Sequence, residues 1–262
     1  MKTVRVLDPN LPDRSTHSLC ALAVMTKAPQ PGRVKTRLVP PLTPEEAAEL
    51  NKCFLRDTAA AISSACRQHP VSDAHASPSQ AASAARGLAV YTPVGAESVY
   101  NDILPVDFSL LPQRGDRFGE RLYFAVEDLF KCGFEAVCLI DSDSPTVPAE
   151  NFAEAVEMLS THQDRVVLGP SDDGGYYLIG VKKPHRHLFE EIDWSTERVL
   201  DQTIQRARKM GLKIQLLPTG YDVDDGTSLQ RLCSDVMADT TPSGIAPHTR
   251  EFLANLAGQK KL

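Results

Sequence analysis

The run Ala136-Val137-Cys138-Leu139-Ile140, followed at once by Asp141-Ser142-Asp143-Ser144-Pro145, constrains this chain more than any other stretch. Five consecutive apolar residues closed by a proline-containing break read as a strand buried on both faces, the habit of a parallel sheet. The two aspartates lie just beyond its carboxyl end, where open α/β sheets hold their ligands. Side chains alternate every second residue, so Asp141 and Asp143 point to the same side for as long as the extended conformation persists. Like charges placed together repel unless a cation lies between them, and the chemistry implied is a divalent metal carrying a polyphosphate. A loop acid capping the next helix accounts for Asp-x-Asp equally well. Other features have to separate the two.

The same alternation of apolar run, polar loop and amphipathic stretch repeats along the chain. Leu19–Met25 reads as a buried strand, and Thr26–Pro41 as a loop punctuated by proline and glycine. Thr43-Pro44-Glu45-Glu46 is a helix start, with Thr43 as N-cap, Pro44 in the first helical position and Glu46 closing a capping box. That helix is expected to run to about Arg67. Strands follow at 88–91, 136–140, 165–168, 176–181 and 212–217, with helices at 118–130, 149–160, 196–210 and 228–236. Strand and helix in turn imply a single Rossmann-like α/β domain, with a mostly parallel sheet and helices on both faces, over residues 19–237. Residues 1–18 read as a loose N-terminal arm, 68–86 as a surface insertion rich in Ala, Ser, His and Pro, and 238–262 as a polar tail.

Composition narrows the function classes. At 262 residues, 42% hydrophobic and 24% charged, the chain has ample core for one domain. No apolar segment approaches the ~20 residues that span a bilayer, and the first eighteen residues lack a secretory pattern. The six cysteines contain no Cys-x-x-Cys pair, so a reducing, cytoplasmic setting is expected. A net charge of −6 argues against nucleic-acid binding. Its distribution says more. Between Asp13 and Glu45 there is no acid, yet Arg14, Lys27, Arg33, Lys35 and Arg37 all fall there. A cationic loop on an acidic protein points to a small anionic ligand.

Four loops carry candidate chemistry. Lys27 to Leu38 is neither a P-loop nor a dinucleotide turn. If extended, it places Arg33, Lys35 and Arg37 on one side, suited to phosphate oxygens. Gln113 to Arg121 holds two glycines among alternating charges at a helix start, and would bring backbone close to a base or ribose, or simply form a turn. Asp172-Asp173-Gly174-Gly175-Tyr176 follows a strand, with acids suited to a metal or an acceptor hydroxyl, although Asp-Gly is also a common hairpin turn. Asp222, Asp224 and Asp225 form a late acid cluster, one of which is placed to complete a metal site begun by Asp143, or to cap a helix. No Gly-x-Ser-x-Gly elbow or other nucleophile constellation appears.

Taken in order, six motifs resemble the GT-A type nucleotide-diphospho-sugar transferase superfamily. More narrowly, they look like the bacterial arsenosugar-biosynthesis or selenodomain-associated glycosyltransferase-like family. They are Lys27-Ala28-Pro29 with Pro31 to Leu38, Gly115-Asp116 with Gly119-Glu120-Arg121, Ser142 to Pro145, Asp173 to Gly180, Trp194-Ser195-Thr196, and Asp222-Val223-Asp224. The resemblance spans about residues 19–237. It implies a GT-A domain and a transferase that holds a nucleoside diphosphate unit with Mg²⁺ or Mn²⁺. Its donor would be a nucleotide sugar, its acceptor a small molecule. Lys27, Arg33, Lys35, Arg37, Gly115, Asp116, Gly119 and Arg121 would bind the nucleotide. Asp143, with Asp224 and Asp141, would hold the metal. Asp173 and Asp172 would be catalytic, and Gly174, Gly175 and Tyr176 would face the acceptor. Two departures matter: Asp141 stands where the family pattern commonly has Gly, and Asp225 where it has Thr. The scaffold also resembles molybdenum-cofactor and phospholactate guanylyltransferases. A nucleotidylyltransferase that releases pyrophosphate from a nucleoside triphosphate is therefore an alternative, as is a nucleotide-binding module without catalysis.

Overall fold

The computed structural model describes residues 4–68, 84–242 and 244–258. An eight-stranded sheet runs through the molecule in the order β1-β4-β3-β2-β5-β7-β6-β8. Its strands are β1 (Arg5–Val6), β2 (Cys20–Lys27), β3 (Ala85–Thr92), β4 (Ser109–Pro112), β5 (Ala136–Ile140), β6 (Arg165–Pro170), β7 (Tyr176–Val181) and β8 (Lys213–Leu216). The helices are α1 (Pro44–Gln68), α2 (Phe118–Lys131), α3 (Ala149–Ser160), α4 (Val199–Lys209), α5 (Gly226–Met237) and α6 (Pro247–Gly258). All pairings are parallel except those of β7, which runs antiparallel to β5 and to β6. The sheet is thus mixed but mostly parallel, as the sequence pattern predicts.

Both faces of the sheet are covered, which is why β5 is apolar at every position and β2 is apolar from Cys20 to Met25. On β2, Leu22 and Val24 pack with Leu55 and Ile62 of α1 and Phe152 and Leu159 of α3, whereas Ala21 and Ala23 face Leu122, Val126 and Leu129 of α2. The expected capping box opens α1: Thr43 Oγ1 accepts from the Glu46 amide at 3.2 Å and Glu46 Oε2 accepts from the Thr43 amide at 2.8 Å. A third apolar cluster lies beyond the sheet's carboxyl edge. It joins Leu38, Leu50 and Phe54 to Val223, Leu229, Leu232 and Leu253. Because Leu38 and Val223 are fully buried there, their neighbours Arg37 and Asp224 are fixed next to one another. This packing positions the site.

Several expectations change. Residues 5–6, within the segment read as a loose arm, pair with β4 as an edge strand, and Leu7 is buried. Strand β4 itself is an addition to the sequence reading. The stretch 196–210 becomes helix only from Val199, because Trp194–Arg198 forms an irregular wall with Ser195 at φ 64°. The insertion placed at 68–86 falls over 69–83 outside the described residues, while Ala85 and Arg86 already belong to β3. In the tail, the twelve residues of α6 form a helix that packs on α1 and α5.

Candidate active site

Strand β6 points the same way as β2, β5 and β8, and because β7 returns antiparallel, residues 171–175 form a tight hairpin at the carboxyl edge these four strands share. Four loops therefore meet there. Backbone hydrogen bonds lace them together: Val223 N donates to Asp143 O at 2.9 Å, Asp172 N to Gly220 O at 3.1 Å, and Gly220 N to Pro170 O at 2.8 Å.

Lys35 is the pivot. Its backbone is left-handed, φ 48° and ψ 37°, and the following residues Thr36–Leu38 form a short 3-10 turn. The extended arrangement expected from the alternation Arg33, Lys35, Arg37 is therefore not what brings the cations together; a tight turn does so. The Lys35 side chain is 4% exposed, and its ammonium lies 2.8 Å from Asp143 Oδ1 and 3.2 Å from Asp224 Oδ1. It also donates to Val223 O at 2.7 Å. Burial works against its charge, but the two carboxylates outweigh that and hold its pKa above the ordinary lysine value. Arg37, 70% exposed, pairs with the other oxygen of Asp224. Lys27, Arg33, Lys35 and Arg37 line a cavity of about 250 Å³ together with Asn51, Ser142, Asp143 and Asp224.

A larger cavity of about 680 Å³ adjoins it and shares Arg37, Asp143 and Asp224. One wall is acidic, with Asp141, Asp172, Asp173, Asp222 and Asp225; the other is apolar, with Met25, Phe118, Leu122, Tyr176 and Trp194. The Phe118 and Trp194 rings meet edge to face, centroids 5.1 Å apart. Burial and the charges of Asp173, Asp224 and Asp143 push the Asp222 carboxyl up to about 6. Burial and the Asp143 charge push Asp141 up to about 8.

The aspartates divide their work. Asp141 turns back on its own loop and accepts from the Ser144 hydroxyl at 2.7 Å, the Ser144 amide at 3.2 Å and the Asp143 amide at 3.3 Å. Asp225 caps α5 by accepting from the Ser228 amide at 2.8 Å. That leaves Asp224 as the late carboxylate facing Asp143 across the ammonium, with Asp222 accepting from Ser171 Oγ at 3.4 Å. Asp173 accepts from the Gly175 amide at 2.8 Å, and Asp172 pairs with Arg231 of α5. Gly175 and Tyr176 line the larger cavity.

Gly115, Asp116, Gly119 and Arg121 line neither cavity; of their segment, Phe118 and Leu122 do. The Glu120 carboxylate instead accepts from the amides of Asp116 and Arg117, while Arg121 donates to Asp116 O at 3.2 Å. Gly119 has a packing reason: a Cβ there would come within 2.7 Å of Trp194 Nε1 and 2.5 Å of Phe189 O. Two participants escaped the sequence reading. Arg231, which also lies 3.8 Å over the Tyr221 ring, sits in an ordinary amphipathic helix, and Asn51 faces the smaller cavity from the middle of α1.

The donor set bears on the metal. Carboxylate oxygens suit hard cations such as Mg²⁺ or Mn²⁺. Among the described residues no group of three or more His, Cys, Asp or Glu is arranged to hold an ion by itself. Asp143 and Asp224 fit a cation of the kind held by one or two carboxylates together with a substrate's phosphates.

Comparison with known proteins agrees with this geometry at the level of the fold. A crystal structure described as that of a "putative nucleotide-diphospho-sugar transferase" from Desulfovibrio desulfuricans G20 superposes with a TM-score of 0.74 at 26% identity, covering 92% of this chain and 96% of that one. The chain thus has a GT-A and nucleotidyltransferase-like α/β fold, shared with proteins described as transferases. More distant likenesses include 4-diphosphocytidyl-2C-methyl-D-erythritol synthase from Anaerococcus prevotii DSM 20548, at TM-score 0.47 and 11% identity over 81% of this chain and 93% of that one. Another is glucosyl-3-phosphoglycerate synthase from Mycobacterium tuberculosis, at TM-score 0.45 and 10% identity over 92% and 79%. A family model described as "Uncharacterized protein conserved in bacteria (DUF2064)" matches residues 77–196. A comparison with curated protein sequences finds no match. No helix among the described residues is long and apolar enough to cross a membrane.

Proposed function

We propose that the protein is a metal-dependent transferase that binds the diphosphate of a nucleotide sugar and passes the sugar to a small acceptor. The observation that carries this reading is the convergence of Lys35 and Arg37 with Asp143 and Asp224 at the boundary of the two cavities. The smaller, cationic cavity suits the diphosphate, whose charge grows as the bond to the sugar breaks. Arg33 and Arg37 offer the forked donors that match phosphate oxygens. When bound, Mg²⁺ or Mn²⁺ would neutralise the same oxygens, with Asp143 and Asp224 as its protein donors. In the larger cavity the Phe118–Trp194 wall suits the apolar face of a sugar or acceptor. Asp173, steadied by the Gly175 amide, is placed to take the acceptor hydroxyl's proton, while Arg231 holds Asp172 beside it.

The superposition on a protein described as a nucleotide-diphospho-sugar transferase supports the glycosyl reading. The density of cations in the smaller cavity supports a second one, in which a nucleoside triphosphate is attacked at its α-phosphate and pyrophosphate departs from the cationic side. Product analysis separates them. Incubated with Mn²⁺, a panel of nucleotide sugars and a panel of small hydroxyl acceptors, the protein should release nucleoside diphosphate as the sugar passes to an acceptor. Release of pyrophosphate from a triphosphate plus a sugar phosphate, with no turnover of nucleotide sugars, would replace the first reading by the second.

A further inference from the structure

The inference drawn here rests on the proposed nucleotide site and concerns what Lys35 does within it. Lys35 stands among the cations of the opening loop, yet its ammonium is already spent. A lysine has three N–H donors and no acceptor. Three oxygens meet them: Val223 O at 2.7 Å, Asp143 Oδ1 at 2.8 Å and Asp224 Oδ1 at 3.2 Å. The Phe54 ring centroid lies 5.4 Å from the nitrogen, and the side chain is 4% exposed. Buried Leu38 and Val223, on the strands of chain that carry these groups, leave the turn little room to shift. Arg33 and Lys27, by contrast, are exposed, and Arg37 engages Asp224 with one terminal nitrogen of a five-donor fork.

We propose that Lys35 is the resident counter-cation of the Asp143–Asp224 pair, a positioning residue and not a phosphate ligand. Its ammonium neutralises the two carboxylates in the empty site and keeps a free divalent ion from settling between them. Metal then enters only together with the phosphates of its nucleotide, whose oxygens fall to Arg33, Arg37 and Lys27. Without the ammonium, Asp143 would face Asp224 across a half-buried gap with only the largely exposed Arg37 guanidinium to offset the pair, an arrangement that draws a hard divalent cation.

The test is titration of the full chain with MnCl₂ alone, free Mn²⁺ being read by electron paramagnetic resonance. Lys35→Met, which keeps length and removes charge, should bind Mn²⁺ on the order of a hundredfold more tightly than wild type. Lys35→Arg, which keeps the charge, should stay near wild type, and Lys35→Met combined with Asp143→Asn should lose the gained site. Equal affinity of wild type and Lys35→Met, whether both bind or neither does, overturns the proposal. Should circular dichroism show Lys35→Met unfolded, Lys35→Gln makes the same charge removal with the same expectation and the same overturning result. A separate arm adds nucleoside diphosphate with the Mn²⁺. Failure of wild type to bind there refutes the nucleotide reading and leaves the comparison in MnCl₂ alone to stand on its own.

Discussion

Gly174 is where the architecture of the larger cavity is most exposed to a single methyl group. Its φ is +89°, and an ideal Cβ there would lie 2.2 Å from Glu197 O, 2.6 Å from Glu197 Cα and 2.7 Å from Glu197 C. All three atoms are backbone, in the 194–197 wall that carries Trp194, and Leu200 N donates to Gly174 O at 2.9 Å. Neither partner can yield by turning a side chain. Holding a non-glycine residue at such a φ costs roughly 1–2 kcal/mol, and forcing backbone apart adds about 1–3 kcal/mol. For a chain of this size each kcal/mol moves the melting temperature about 2–4 °C, so Gly174→Ala should melt roughly 5–15 °C below wild type. Gly211→Ala supplies the control. Its φ is +68° with nothing within 4 Å of the added carbon, so it bears the conformational cost alone. Calorimetry gives the melting temperatures, and the emission of the chain's one tryptophan reports directly on the displaced wall. If Gly174→Ala melts no lower than Gly211→Ala and leaves the Trp194 emission unchanged, the reasoning fails.

Other consequences are as specific. Asp57, buried on α1, accepts from the amides of His248 at 3.0 Å and Thr249 at 2.9 Å, the first turn of α6, so Asp57→Asn should cost about 1–2 kcal/mol. Burial holds this carboxyl above its ordinary value despite those hydrogen bonds. The folded chain therefore takes up the proton first on acidification, and its stability rises as pH falls from the folded pKa to the unfolded value near ~4. Urea melts at stepped pH should show wild type gaining on Asp57→Asn over that window; a flat difference would remove the buried-charge explanation. Arg37→Ala, at a largely exposed pair, should change stability by less than about 1 kcal/mol yet weaken nucleoside diphosphate binding on the order of tenfold, leaving nucleoside binding alone. Equal losses for both ligands, by calorimetry, would take the phosphate role from Arg37.

Much of this arrangement is legible in the residues. Leu19–Met25, the Thr43–Glu46 capping box and the apolar run 136–140 each carry a local signal strong enough to name an element, and they emerge as β2, α1 and β5. Strand β4 does not, because Ser-Leu-Leu-Pro is four residues long and ends in a proline that punctuates loops. Periodicity is also blind to direction, so nothing in 176–181 tells that β7 runs against its neighbours and makes 171–175 a tight hairpin. At the site, residue type foretold the meeting of cations and acids. The division among the aspartates depends on which backbone amides each carboxylate can reach, as Asp141 and Asp225 show. The 113–121 segment reads two ways because its glycines and charges fit a turn and a helix start as well as they fit a ribose. Gly119 answers to the Trp194 ring, seventy-five residues further along.

The central claim is that the loop cations and the Asp143–Asp224 pair form one site for a nucleoside diphosphate with its metal. Calorimetric titration of nucleoside diphosphates with Mn²⁺ into wild type and Asp143→Asn tests it most directly. The account predicts saturable binding by wild type that weakens about a hundredfold in the variant, with circular dichroism showing both proteins folded. Equal affinity in both would contradict it.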